Sequence, residues 1–69
     1  MSEGKLDKRF GAVAIDKGFI TLENLIAAMK IQILENIKGL DHRLIGQILW
    51  EEGYIKTEQI NEVLKSMGI

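Results

Sequence analysis

Apolar residues recur at helical spacing along the whole chain. Leu6, Phe10 and Val13 stand at i, i+4 and i+7, which places them on one face of a helix over about residues 5–17. Three further helices are predicted in the same way, over residues 22–38, residues 42–52 and a stretch that follows Thr57. The chain is therefore predicted to be all-α, a four-helix domain without strands long enough to pair.

Glycines mark the predicted helix ends, and short polar residues mark the starts. Gly18, Gly39 and Gly53 stand where a left-handed residue ends a helix. The side chains predicted to cap the following helices are those of Thr21, Asp41 and Thr57. Residues 19–20 and 54–55 link each helix to the next and are expected to be short and extended.

The two halves of the sequence match each other at an offset of 35 residues. The shift superimposes Gly4 on Gly39, Gly11 on Gly46 and Gly18 on Gly53. A period of this length is typical of a supersecondary unit that buries its apolar face only by stacking on a neighbour. We therefore predict one domain, residues 1–69, in which repeat 1 (about 4–38) and repeat 2 (about 39–69) share a core.

Two of these glycines fall inside predicted helices. Gly11 and Gly46 each cost about 1 kcal/mol relative to alanine there. Such a cost indicates that something approaches the backbone closely. Either a neighbouring helix crosses at that point or a ligand binds there.

Composition and charge exclude several kinds of partner. With 46% apolar residues, 28% charged residues and no proline, the chain is typical of a folded helical domain. It has no cysteine, which excludes disulfides, thiolate zinc sites and cysteine nucleophiles. A net charge of -1 without a basic stripe argues against nucleic acid. The absence of cysteine fits a reducing cytoplasm. No apolar run approaches the ~20 residues of a membrane span, so we expect no membrane insertion.

The sequence contains no catalytic or metal-binding pattern. His42 is the only histidine, and with Asp41 as its one nearby ligand it does not predict a metal site. The carboxylates are scattered, and neither a nucleophile elbow nor a glycine-rich phosphate loop is present. We therefore expect no enzyme activity and no cofactor.

The first half carries a longer motif at fixed spacing. Residues 9–32 match the pattern R-L-G-x-x-L-x-x-x-G-x-x-x-x-x-x-L-x-x-x-L-x-x-Q with conservative changes. The matching residues are Arg9, Phe10, Gly11, Ala14, Gly18, Leu25, Met29 and Gln32. In this pattern the chain resembles the N-terminal domain of the ATPases that drive type II secretion and type IV pilus assembly, and stand-alone relatives in bacterial signalling. The resemblance covers residues 8–67.

This resemblance implies a binding role and a candidate ligand. In some members of that family, two tandem copies of the motif bind the dinucleotide second messenger cyclic di-GMP. The residues implied as ligand-binding are Arg9, Gly11, Gly18, Leu25 and Gln32 in the first copy and Gly46 and Gly53 in the second. Arg9 is expected to hold a guanine edge or a phosphate through two parallel hydrogen bonds.

The second copy departs from the motif at its polar positions. Leu44 occupies the arginine position and Met67 the glutamine position. Arg43 is displaced by one residue, which rotates it by about 100° on a helix. We therefore expect a non-enzymatic binding or adaptor module of bacterial cytoplasmic signalling or secretion, with a cyclic di-GMP receptor as the alternative.

The predicted second helix carries two apolar faces, whereas one is enough for a helix on the surface of a small domain. One face contains Leu22, Ile26 and Met29, and the other contains Ile31 and Leu34. A second apolar face indicates a surface for a protein partner or a homodimer, with Ile31, Leu34 and Trp50 as its candidate residues. The alternative is that this helix is the central helix of the bundle.

Overall fold

Four helices make up most of the structure, a computed structural model that describes the backbone of residues 2–40 and 43–68. Side chains are described for residues 7–40 and 43–68. The helices are α1 (Ser2–Asp16), α2 (Leu22–Ile37), α3 (Ile45–Glu51) and α4 (Thr57–Ser66). The described residues contain no strand, so the prediction of an all-α fold with four helices is confirmed.

The first turn of the chain follows the glycine signal in the sequence. Gly18 has φ +76° and donates its N–H to the carbonyl of Ile15 at 2.9 Å. Phe19 N–H donates to Ala14 O at 2.9 Å, which completes a Schellman motif at the end of α1. Gly53, with φ +81°, ends α3 in the same way. Any other residue at these two positions would strain the backbone, so the glycines are needed for the turns themselves.

Two of the predicted caps lie within the described residues, and one of them is wrong. Thr21 Oγ1 accepts from Asn24 N at 3.1 Å, and Asn24 Oδ1 accepts from Thr21 N, so Thr21 caps α2 as predicted. At α4 the cap is Lys56, whose N–H donates to Gln59 Oε1 at 2.9 Å. Thr57 is the first helical residue instead, because the Gln59 amide reaches the residue before it.

The start of α3 differs most from the sequence-based prediction. The helix begins at Ile45 rather than at His42, and Ile45 N donates to the Asp7 carboxylate Oδ1 at 3.2 Å. A carboxylate of α1 therefore satisfies one of the free N–H groups at this helix start. The predicted cap, Asp41, and His42 lie outside the described residues. The other bounds agree closely, although α1 begins at Ser2 rather than at residue 5.

The core is built from all four helices and both links. Among the described side chains, the buried apolar residues are Phe10, Ala14, Ile20, Ala28, Ile45, Ile48, Leu49, Ile55, Val63 and Met67. The short helix α3 is the most deeply placed element, because Ile48 and Leu49 are completely buried. Ile20 and Ile55 anchor the two links after the glycine turns.

The closest helix pairs connect the two halves of the chain. They are α2 with α3, α1 with α4, and α1 with α3. If α1 is exchanged with α3 and α2 with α4, the pair α2 with α3 becomes the pair α1 with α4, and the pair α1 with α3 is unchanged. Two copies of one helix pair packed about a two-fold axis would give this arrangement. That the halves are copies of a single unit stays a prediction.

Candidate functional site

Two apolar grooves open on the surface, one beside each half of the chain. The first, of about 350 Å³, lies between α1 and α2, and the second, of about 490 Å³, lies between α3 and α4. The first groove is lined in part by Ala12, Ile15, Leu25, Met29, Gln32 and Ile45. The residues at the 35-residue offset all line the second groove: Gln47, Trp50, Ile60, Leu64, Met67 and Phe10. The grooves therefore correspond to each other, with each closed by a residue of the opposite half.

Chemically, the grooves offer apolar walls and few polar groups. Lys8 and Gln32 bring a cation and an amide to the first groove, and Gln47 brings an amide to the second. Asp7 lines both. Volumes of this size fall at the lower end of the range for small-molecule sites, so either groove can hold an apolar side chain or a flat ring.

Arg9 does not line either groove. Its side chain is exposed on α1, directly after Lys8 in sequence, and it is not among the residues that line the grooves. An arginine can bind a ligand in a groove only if its side chain reaches into that groove. In this structure Arg9 would therefore not contact a ligand in the first groove. Lys8, which sequence reasoning did not single out, is the cation that stands at the first groove.

Gln32, another residue implied by the motif, is already engaged within the protein. Its amide nitrogen donates to Asp7 Oδ2 at 2.8 Å and to the carbonyl oxygen of Arg43 at 3.0 Å. An amide nitrogen has two hydrogens, so both donors of Gln32 are used. A ligand in the first groove would meet its acceptor oxygen only, unless these bonds were broken.

The two glycines inside helices make room for side chains of other helices. A Cβ added to Gly11 would lie 2.8 Å from both methyl carbons of Leu25, and one added to Gly46 would lie 3.0 Å from Phe10 Cζ. Both distances are shorter than ordinary contacts between carbon atoms. Helix packing therefore accounts for the close approach at Gly11 and Gly46, the first of the two explanations that their positions suggested.

A polar cluster joins the connecting segment to three helices. Arg43 donates from Nε to Glu35 Oε1 at 3.0 Å and from its second terminal nitrogen to the other oxygen of that carboxylate. Its remaining terminal nitrogen lies 3.1 Å from Glu51 Oε1. Together with the Asp7 and Gln32 hydrogen bonds, these contacts form what we call the polar clasp: Asp7, Gln32, Glu35, Arg43 and Glu51.

Electrostatics in the clasp follow from the paired Arg43 guanidinium. Its hydrogen bonds to Glu35 lower the pKa of that carboxyl below its ordinary value of 4.5. The same bonds, with that to Glu51, raise the pKa of Arg43. The residue that looked like a displaced copy of the motif arginine therefore holds the connection between the halves. Sequence spacing could not show this, because its partners lie on α2 and α3.

Most of the large apolar side chains that are exposed among the described residues lie on α2. Five residues at spacings of four, three, four and four form the feature we call the α2 stripe: Leu22, Ile26, Met29, Ile33 and Ile37. Their exposed fractions run from 40% at Met29 to 76% at Ile37. Fully apolar side chains exposed to this extent along one helix form a continuous patch rather than isolated residues.

Two of the three partner residues expected from the sequence are exposed, and the third is partly buried. Leu34 and Trp50 are exposed by 54% and 51%, and Trp50 also lines the second groove. Ile31, in contrast, is partly buried against the core. The reason is that α2 packs through the face containing the completely buried Ala28, so the exposed apolar face is the one that starts at Leu22.

An internal comparison could have identified the α2 stripe from the sequence. At the 35-residue offset, Leu22 corresponds to Thr57, Ile26 to Asn61 and Ile33 to Gly68. Thr57 and Asn61 are thus polar positions of α4 and Gly68 follows its end, whereas Met29 corresponds to an apolar residue, Leu64. The described residues of α4 expose no large apolar side chain. Positions that are apolar in only one half are not required by the shared packing.

Comparisons with known protein families, with curated protein sequences and with solved structures found no match to this chain. Within the described ranges, no helix has the length and apolar character that crossing a membrane needs. The same residues contain no group of three or more histidine, cysteine, aspartate or glutamate side chains placed to hold a metal ion. The geometry of the grooves, the clasp and the α2 stripe therefore carries the functional argument.

Proposed function

We propose that this chain is a non-enzymatic binding or adaptor module that acts through protein contacts, in bacterial cytoplasmic signalling or secretion. The observation that carries the proposal is the α2 stripe. The bacterial and cytoplasmic setting rests on the sequence resemblance and on the composition of the chain. The binding role rests on the exposed apolar face of one helix.

An exposed apolar stripe is unfavourable unless a partner covers it. Burying apolar surface stabilises by about 25 cal/mol per Å². The chain leaves Leu22, Ile33 and Ile37 each more than half exposed, although Leu22 corresponds to the polar Thr57 in the second half and Ile33 to Gly68. The fold therefore gains little from these residues, and a contact with another protein is the physical reason for keeping them apolar.

The non-enzymatic part of the proposal is supported by the groove linings. Asp7 is the carboxylate that both grooves share, and its oxygens accept hydrogen bonds from Gln32 and from Ile45 N. A general base must reach the substrate proton that it takes. Among the described side chains of the two grooves, both oxygens of this carboxylate are already engaged in hydrogen bonds within the fold.

Site-specific photo-crosslinking in bacterial cells tests the protein-contact proposal. A photo-reactive amino acid placed at Ile33 should form a covalent adduct with a protein, because this position lies on the α2 stripe and is 55% exposed. The matched control places the same amino acid at Asn61, an exposed residue of α4 that should give no adduct. Absence of any protein adduct at Ile33 would contradict the proposal, whatever the identity of the partner.

A cyclic di-GMP receptor is the second candidate, and the corresponding pair of grooves favours it. The first groove combines apolar walls at Leu25 and Met29 with the Lys8 cation, which suits a base and a phosphate. Titration with cyclic di-GMP, followed by backbone amide shifts, tests this function separately. If the amides of Lys8, Leu25 and Met29, which line the first groove, do not move at millimolar ligand, this second function is excluded.

A further inference from the structure

The four outer residues of the α2 stripe are arranged symmetrically about one point of the helix. Leu22 and Ile37 are its ends, Ile26 and Ile33 are the next pair inward, and Met29 lies at the centre. Both pairs are centred on the same point of the helix, just after Met29. Two α2 helices that lie antiparallel about this point bring Leu22 opposite Ile37 and Ile26 opposite Ile33 of the other copy, with both Met29 side chains beside the axis.

We propose that a second copy of this chain covers the α2 stripe, with the two α2 helices antiparallel about a two-fold axis near Met29. The proposal rests on the protein-binding function above and names the partner. A two-fold interface uses the same patch on both subunits, so the patch must be complementary to itself. The stripe meets this requirement along the whole of α2.

Charges beside the stripe favour the antiparallel direction. Glu23, in the first turn of α2, and Lys38, which caps its end, are both exposed and lie on the same flank of the stripe. In an antiparallel pair related by a two-fold axis, the flank that carries these residues on one helix lies beside the same flank of the other helix. Glu23 of one copy therefore comes opposite Lys38 of the other, twice per dimer, and the helix dipoles are opposed.

The size of the contact predicts a weak and reversible dimer. A standard interface buries about 800 Å² on each partner, which is about a sixth of the 4815 Å² that one chain exposes. The 16 residues of α2 span about 24 Å. A contact confined to this helix lies at the small end of protein interfaces, where weak and reversible complexes are found.

Sedimentation equilibrium tests the second copy as partner. Between about 1 μM and about 1 mM, the range that corresponds to such affinities, the mass should rise from 7.8 kDa toward twice that value. Ile26→Glu should keep the chain monomeric, whereas Asn61→Glu, at the corresponding position of α4, should not. Circular dichroism of both variants establishes that each is folded.

A wild-type chain that stays monomeric at the highest concentration would overturn this inference, as would a folded Ile26→Glu variant that still dimerises. The photo-crosslinking test at Ile33 is independent of both results. An adduct there to a different protein, together with a monomeric mass, would keep the proposed function and reject the second copy as the partner.

Single cysteines test the antiparallel direction, since the chain has none of its own. Met29→Cys should crosslink to its own copy with a short thiol-reactive linker, because both positions lie near the axis. Leu22→Cys should crosslink only in a mixture with Ile37→Cys, because the two Leu22 positions lie about 22 Å apart in the antiparallel pair. Efficient crosslinking of Leu22→Cys to itself would overturn the antiparallel arrangement.

The exposed residue Lys30 provides a further check of register. It lies close to the proposed axis on the flank that carries Glu23, so two Lys30 ammonium groups face each other in the dimer. Lys30→Gln should therefore tighten the dimer by about twofold, whereas the exposed α4 control Lys65→Gln should leave it unchanged. A weaker dimer for Lys30→Gln would contradict the register.

Discussion

Replacing Gly46 by alanine should destabilise the protein, although alanine is the better helix former. The gain in helix propensity is about 1 kcal/mol. Against it, the new methyl group would lie 3.0 Å from Phe10 Cζ and 3.2 Å from Cε1. The ring is 6% exposed and held in the core, so it cannot move away freely. Overpacking of this kind costs about 1–3 kcal/mol, which leaves a net loss of about 1 kcal/mol.

Gly11→Ala is the matched control for that prediction. Its methyl group would meet the two branched ends of Leu25 at 2.8 Å, which is a closer contact. Leu25 is only partly buried and lines the first groove, so its side chain has space into which it can rotate. We expect Gly11→Ala to change the free energy of unfolding little, or to raise it by up to about 1 kcal/mol.

Urea unfolding followed by circular dichroism measures both variants. For a domain of 69 residues, a loss of about 1 kcal/mol should also lower the melting temperature by about 4–8 °C. Adding Phe10→Leu to Gly46→Ala should recover part of the loss, because the shorter side chain removes the contacting ring edge. If Gly46→Ala alone stabilises the protein by about 1 kcal/mol, the ring does not fill this space and the packing argument is refuted.

Four further substitutions test the clasp and the caps. Asp7→Ala should cost about 1–3 kcal/mol in urea unfolding, because Ile45 N loses its acceptor at the start of α3; no loss would show that the bond is dispensable. Arg43→Met should reduce stability at neutral pH. Because the folded pKa of Glu35 is lowered, that difference should persist above pH 4.5 and shrink as the pH falls through the lowered value; a gap that is independent of pH would contradict the pairing. Thr21→Ala should cost about 1 kcal/mol in thermal unfolding, whereas Thr57→Ala should change stability by less than about 0.5 kcal/mol; equal losses would mean that Thr57 is a cap after all.

The helices could be predicted from the sequence because their signals are local. The apolar period and the glycine stops at Gly18 and Gly53 act within one or two turns of the chain. The start of α3 could not be predicted, because the group that satisfies Ile45 N is the carboxylate of Asp7, which lies 38 residues away in sequence. A nearby polar residue is a reasonable cap only when no distant side chain competes for the role.

The candidate sites were harder to predict than the fold for a related reason. Periodicity identifies both apolar faces of α2, but it does not say which face its neighbours cover. That choice depends on Ala28, whose small side chain lies completely buried where α2 packs on the core. Likewise, the motif gives Gln32 a free amide, whereas the folded chain brings Asp7 and the Arg43 carbonyl to it.

The claim that the α2 stripe is a surface feature and not part of the core is tested most directly by measuring the stability of a chain whose stripe has been made polar. Leu22→Gln, Ile26→Gln and Ile33→Gln combined should leave the free energy of unfolding, measured at low micromolar concentration, within about 1.5 kcal/mol of the wild type. The reason is that these side chains are largely exposed to solvent in the folded chain, so their replacement removes little buried apolar surface. A loss of several kcal/mol, of the size expected for buried residues such as Ile48, would mean that the stripe belongs to the core and would contradict the account.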